Sequence, residues 1–185
     1  MIKNLIIHPE DQSTTFLEQI YEQAQEKTVI RKNSNTDEIN SLIKRSNRIM
    51  MMGHGSPRGL FSVGMFKGTQ QPYAYAIGQN EAELLKNKSQ NIYIWCNANL
   101  FVEQYDLKGF YSGMFISEVG EALYCGVKQI NQTMVNESNY AFSQIVGKYI
   151  NLPVEELYAM VMAEYGELAK TNPVAKYNHE RLYLK

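Results

Sequence analysis

The sequence predicts an α/β fold, a three-layer αβα sandwich around a mostly parallel sheet. Three observations lead there. Short, nearly continuous apolar runs recur through the first 125 residues, as strands covered on both faces do. Segments of helical periodicity separate them, and strand–helix alternation signals crossover connections. The 41 residues between positions 54 and 96 suffice for a crossover, which takes about a dozen or more.

Taken in order, Asn4 to Ile7 reads as a buried strand closed by His8-Pro9. Ser13 or Thr14 then caps a helix whose apolar stripe is Phe16, Leu17, Ile20, Tyr21 and Ala24. A strand over Thr28 to Ile30 follows, and Thr36 or Asp37 opens a helix with Ile39, Leu42 and Ile43 on one face. The third strand, Ile49 to Met52, stops at Gly53. Leu60 to Val63 and Tyr73 to Ile77 suit a hairpin joined through Lys67-Gly68-Thr69-Gln70. A helix over 80–88 leads to the fourth strand, Ile92 to Trp95. A fifth strand is expected over 110–116, then helices over 117–124, 138–150 and 153–168, with Pro153 at a tolerated first-turn position. The expectation is a single domain over 1–185, with a core in 1–125, a helical part in 136–169 and a polar tail in 170–185. The tail is open between strand, arm and disorder.

Composition narrows the function. At 44% apolar and 20% charged residues the chain is an ordinary globular one, and 185 residues suffice for a real core. A net charge of −1 and a pI near 6.3 give no basic field, which argues against nucleic acid. No apolar stretch reaches the roughly 20 residues of a membrane span, and the first seven residues lack the cleavage signal of a secretory leader. Two cysteines make no disulfide framework and suit a reducing, cytoplasmic setting.

The chemistry gathers at two strand ends. Ile49 to Met52 runs into Gly53-His54-Gly55, and Ile92 to Trp95 runs into Cys96-Asn97-Ala98-Asn99. In open parallel sheets, ligands and chemistry collect outside the carboxyl ends of the strands. Adjacent strands lie about 4.8 Å apart, so an imidazole and a thiol leaving neighbouring ends can meet around one substrate. Cys96 would attack a carbonyl, and His54 would move the protons as general acid/base. The Gly55 and Cys96 N–H groups would hold the oxyanion. A neighbouring imidazole, or the start of a helix after Asn97, would lower the thiol's pKa. His8 is a rival base lacking flanking glycines; His179 reads as solvated and Cys125 as an inert small hydrophobe.

Other chemistries lack their residues. The chain has no Gly-x-Ser-x-Gly elbow, no glycine-rich phosphate cradle and no arginine close after Cys96. Three histidines and two cysteines at scattered spacings do not make a zinc site. No cofactor and no metal are expected, the expected partner is a peptide or protein substrate, and the oligomeric state stays open.

An apolar block ending in His-Gly, followed by an apolar block ending in Cys, resembles the caspase-like (clan CD) cysteine peptidases. The matching residues are Ile49 to Met52 with His54-Gly55, and Ile92 to Trp95 with Cys96. The resemblance covers roughly residues 1–125 and includes the hairpin after the His-Gly pair. It implies a caspase-like, flavodoxin-related topology and a cysteine endopeptidase with a His54/Cys96 dyad working through a thioester acyl-enzyme. It also implies that the end of the first strand lines the substrate pocket, here His8, Glu10 and Asp11, with Asn97 beside the nucleophile. The chain departs from the family in Asn97-Ala98-Asn99 and in Ile94, where many members carry an acid. A catalytically inactive caspase-like domain for interaction or regulation is the alternative, and a flavodoxin-like sensor of small molecules a third.

Overall fold

The protein is described by a computed structural model covering residues 3–68, 71 and 73–185. Strand β1 (Asn4–Ile7) leads into a 3-10 helix (Gln12–Leu17), which continues directly as helix α1 (Glu18–Glu22). Then come β2 (Lys27–Ile30), α2 (Thr36–Arg45) and β3 (Arg48–Met52). Three short strands follow, β4 (Gly55–Ser56), β5 (Gly59–Phe61) and β6 (Tyr75–Ile77). Helix α3 (Gln79–Leu85), β7 (Ile92–Ile94), α4 (Ala98–Gln104), β8 (Phe110–Ser112) and α5 (Val119–Tyr124) continue the alternation. The chain finishes with α6 (Gln132–Tyr149), α7 (Val154–Ala169), α8 (Pro173–His179) and β9 (Leu182–Leu184).

Six strands form one sheet in the order β2-β1-β3-β7-β8-β9, with only β9 antiparallel to its neighbour. The period-2 alternation of a strand sorts its side chains into two cores. Leu5, Ile7, Ile49, Met51, Tyr93 and Trp95 pack with Ile39 and Ile43 of α2, Leu85 of α3 and Phe101 of α4. Ile6, Met50, Met52, Ile92 and Ile94 pack on the opposite side with Ile20 of α1, Phe142 of α6 and Tyr165 of α7. Helices on both faces of a mostly parallel sheet make the three layers that the apolar runs predict. Among the described residues, no helix is long and apolar enough to cross a membrane.

Several boundaries differ from expectation, each for a local reason. Asp11, not Ser13 or Thr14, caps the 3-10 helix, accepting from the Ser13 N–H at 2.9 Å. Helix α6 starts six residues earlier than the apolar stripe suggests, because the Asn131 side chain caps it by accepting from Met134 N. The expected hairpin gains a third strand, β4, in an antiparallel sheet of order β4-β5-β6. Thr69, Gln70 and Pro72, within its expected connection, lie outside the described residues, as do Met1 and Ile2. The polar tail is ordered: Asn172 caps α8 by accepting from Val174 and Ala175 N–H groups, and β9 closes the sheet beside β8. His179 is partly buried rather than free in solvent; its Nε2 meets the Met162 carbonyl at 2.9 Å.

Candidate active site

Strands β3 and β7 are neighbours, and their register pairs Met52 with Ile94. Both side chains belong to the core under α1, α6 and α7. His54 and Cys96 stand two residues beyond the ends of these paired strands, at the same edge of the sheet. They line a common small pocket of about 20 Å³ with Thr14, Phe16, Ile94, Phe115 and Ser117.

The glycines flanking His54 have steric causes. Gly53 takes φ +135°, a conformation L side chains rarely adopt, while its N–H extends the ladder to the Ile94 carbonyl at 3.1 Å. A Cβ on Gly55 would lie 2.2 Å from the Trp95 ring and 2.7 Å from the Gly59 carbonyl oxygen. Trp95 Nε1 in turn donates to the Ser56 carbonyl at 3.0 Å, tying the end of β7 to β4. The Phe61 N–H donates to the His54 carbonyl at 2.8 Å, which makes Gly55 and Leu60 a non-hydrogen-bonded pair. The Gly55 N–H therefore lies outside the β4–β5 ladder. Among the described residues the Cys96 N–H has no backbone acceptor either.

The thiol's environment differs from expectation. Cys96 Sγ lies 3.5 Å from the Phe115 carbonyl and 3.9 Å from Glu121 Oε1. Burial, and next the Glu121 charge, push its pKa up to about 12, where the sequence suggested a lowered value. The seven-residue α4 does start after Asn97, but desolvation outweighs any help from it. The resting thiol is protonated.

His54 is held through its Nε2. Its Nε2 lies 2.7 Å from Ser13 Oγ and 3.5 Å from Asp11 Oδ1. Ser13 Oγ donates to Asp11 Oδ1 at 2.5 Å, and these Ser13 contacts hold the Asp11 carboxyl below the usual carboxylate range. Asp11 thus caps a helix and faces the imidazole.

The remaining expected pocket residues fall elsewhere. His8 is fully buried, with Nδ1 against Tyr21 Oη at 3.0 Å and Nε2 against Thr14 Oγ1 at 3.1 Å. Burial lowers its pKa to about 4, so it is a neutral structural histidine, neither a pocket wall nor a rival base. Glu10 turns to solvent and pairs with Lys32 at 3.0 Å. Asn97 does not line the pocket that His54 and Cys96 share. It adopts φ 66°, ψ 30° as the start of α4, a left-handed conformation asparagine tolerates better than most residues.

Next to this small pocket lies an open cleft of about 460 Å³, with Phe16 and Ser117 lining both. Thr15, Glu118, Asn136, Asn139 and Tyr140 supply most of its remaining walls. Sequence reasoning missed Ser13 and Glu121 as site residues, because each occupies a helix-start position where its residue type is ordinary. The chain matches no known family model, no curated protein and no solved structure.

Proposed function

We propose that this protein is a cysteine endopeptidase of the caspase-like type, with Cys96 as nucleophile and His54 as general acid/base. The observation that carries the reading is the Met52–Ile94 register, from which His54 and Cys96 each stand two residues beyond. The sheet order, and the small sheet that follows the His-Gly pair, support the caspase-like topology. Two unpaired cysteines support a reducing, cytoplasmic setting and a peptide or protein substrate met there.

His54 takes the Cys96 proton as sulfur bonds to the carbonyl carbon, and the oxyanion draws on the Gly55 and Cys96 N–H groups. As the C–N bond breaks, His54 returns the proton to the leaving amine. Water then attacks the thioester, gives a proton to His54, and the C–S bond breaks to release acid and thiol. A pocket of about 20 Å³ has room for about one water and none for a peptide carbonyl. Productive binding therefore needs the segment bearing Phe115, Ser117 and Glu121 to draw back and release the thiol.

The raised thiol pKa and the small pocket also favour a second reading, a caspase-like domain kept for interaction or regulation without turnover. Digestion of a random peptide library separates the two. The peptidase reading predicts cleavage that Cys96→Ala abolishes and His54→Ala slows by about 10²-fold or more. No cleavage by the wild type, or cleavage that survives Cys96→Ala, favours the second.

A further inference from the structure

We propose that Ser13 and Asp11 are positioning residues for His54, holding its proton on Nε2 and reserving Nδ1 for exchange with Cys96. The Cys96 half of this rests on the peptidase reading; the proton's place on the ring does not.

The Ser13 hydroxyl has one hydrogen and two neighbours that could take it. Oγ lies 2.5 Å from Asp11 Oδ1 and 2.7 Å from His54 Nε2. Asp11 is ionised at neutral pH, since the Ser13 hydrogen bonds favour its charged form. An oxygen–oxygen separation of this length to a carboxylate requires the hydroxyl hydrogen between the two atoms. Only lone pairs of Oγ remain for the imidazole, so Nε2 must be the donor. A neutral imidazole that donates from Nε2 accepts at Nδ1. Asp11 Oδ1, 3.5 Å from Nε2, favours a proton there as well.

The relay is built into the fold. Strand β1 pairs with β3 in register, Ile7 beside Met51, so the turn leaving β1 arrives next to the turn carrying His54. The Ser13 N–H closes an Asx turn on Asp11 at 2.9 Å. Thr14, the next residue, is bonded to the buried His8 ring. Backbone and core therefore fix the hydroxyl, and the hydroxyl fixes the imidazole.

The test is a proton–nitrogen spectrum of the full chain with ¹⁵N-labelled histidine, the His54 signals being assigned by their loss in His54→Gln. An Nε2–H proton slowed in exchange, with Nδ1 unprotonated, is expected. Ser13→Ala and Asp11→Asn lose that signal and Ser13→Thr keeps it. On a cleaved peptide, the first two variants lower kcat by about 10²-fold with KM unchanged, as a misplaced catalytic group does, and Ser13→Thr restores it. A proton on Nδ1, or an Nε2–H signal indifferent to both substitutions, overturns the proposal. So does labelling of Ser13 by a fluorophosphonate, which would make it the nucleophile. The spectrum needs no turnover: a protein with the expected signal that cleaves nothing keeps the relay and loses the peptidase.

Discussion

The Glu121 carboxylate divides its oxygens between a loop and a thiol. Oε2 accepts from the Ser117 N–H at 2.7 Å, the Ser117 hydroxyl at 3.0 Å and the Glu118 N–H at 3.2 Å, while Oε1 stands 3.9 Å from Cys96 Sγ. The first set anchors the segment beside the Cys96 thiol; the last discourages the thiolate. Glu121→Gln keeps an acceptor for the loop and removes the charge. Alkylation of Cys96 by iodoacetamide at pH 8 is then expected to quicken about tenfold, the effect of one pKa unit. An unchanged rate would show that burial alone sets the thiol's resting state. Cys125 serves as the internal reference. It is partly buried and packs beside Ile116, Ala122, Val135 and Val174, and its rate should not move.

At the scale of elements, His8 pins the end of β1 to the 3-10 helix through Thr14 and to α1 through Tyr21. Unfolded, a histidine titrates near 6.5; here burial lowers it to about 4. Between those values the unfolded chain binds more protons, so stability rises with pH across the window and is lost as pH falls through it. The whole window corresponds to about 3 kcal/mol. Urea unfolding at pH 7 and pH 4 should show the wild type losing about that much more than His8→Gln. Parallel losses in the two proteins would contradict it. The strands themselves were legible, because a strand buried on both faces is an uninterrupted apolar run such as Ile49 to Met52. The caps were less so. Asp11, Asn131 and Asn172 carry ordinary cap chemistry, but the apolar stripes drew attention to later residues. Tertiary bonds were not legible at all. Asn178 grips both the N–H and the carbonyl of Ile116 across 62 residues, fixing the loop beside Cys96 from the far end of the chain.

At the scale of the molecule, one sheet brings together groups far apart in the chain. Parallel neighbours β3 and β7 deliver the imidazole and the thiol, and β1 delivers Asp11 and Ser13 from the next strand over. The loop after β8 packs against the thiol, and α8 holds that loop from outside. That His54 and Cys96 share one sheet edge was readable, since two apolar runs of similar form end in short turns. The charge state of the sulfur was not, because Glu121 reaches it only through the placement of α5. The central claim is that this imidazole and this thiol work as one unit. Intact-mass spectrometry and tryptic mapping test it, after incubation with peptidyl acyloxymethyl ketones of varied side chain. The account predicts a single adduct on Cys96 that His54→Ala removes; labelling confined to Cys125, or an adduct on Cys96 that forms equally fast without His54, would contradict it.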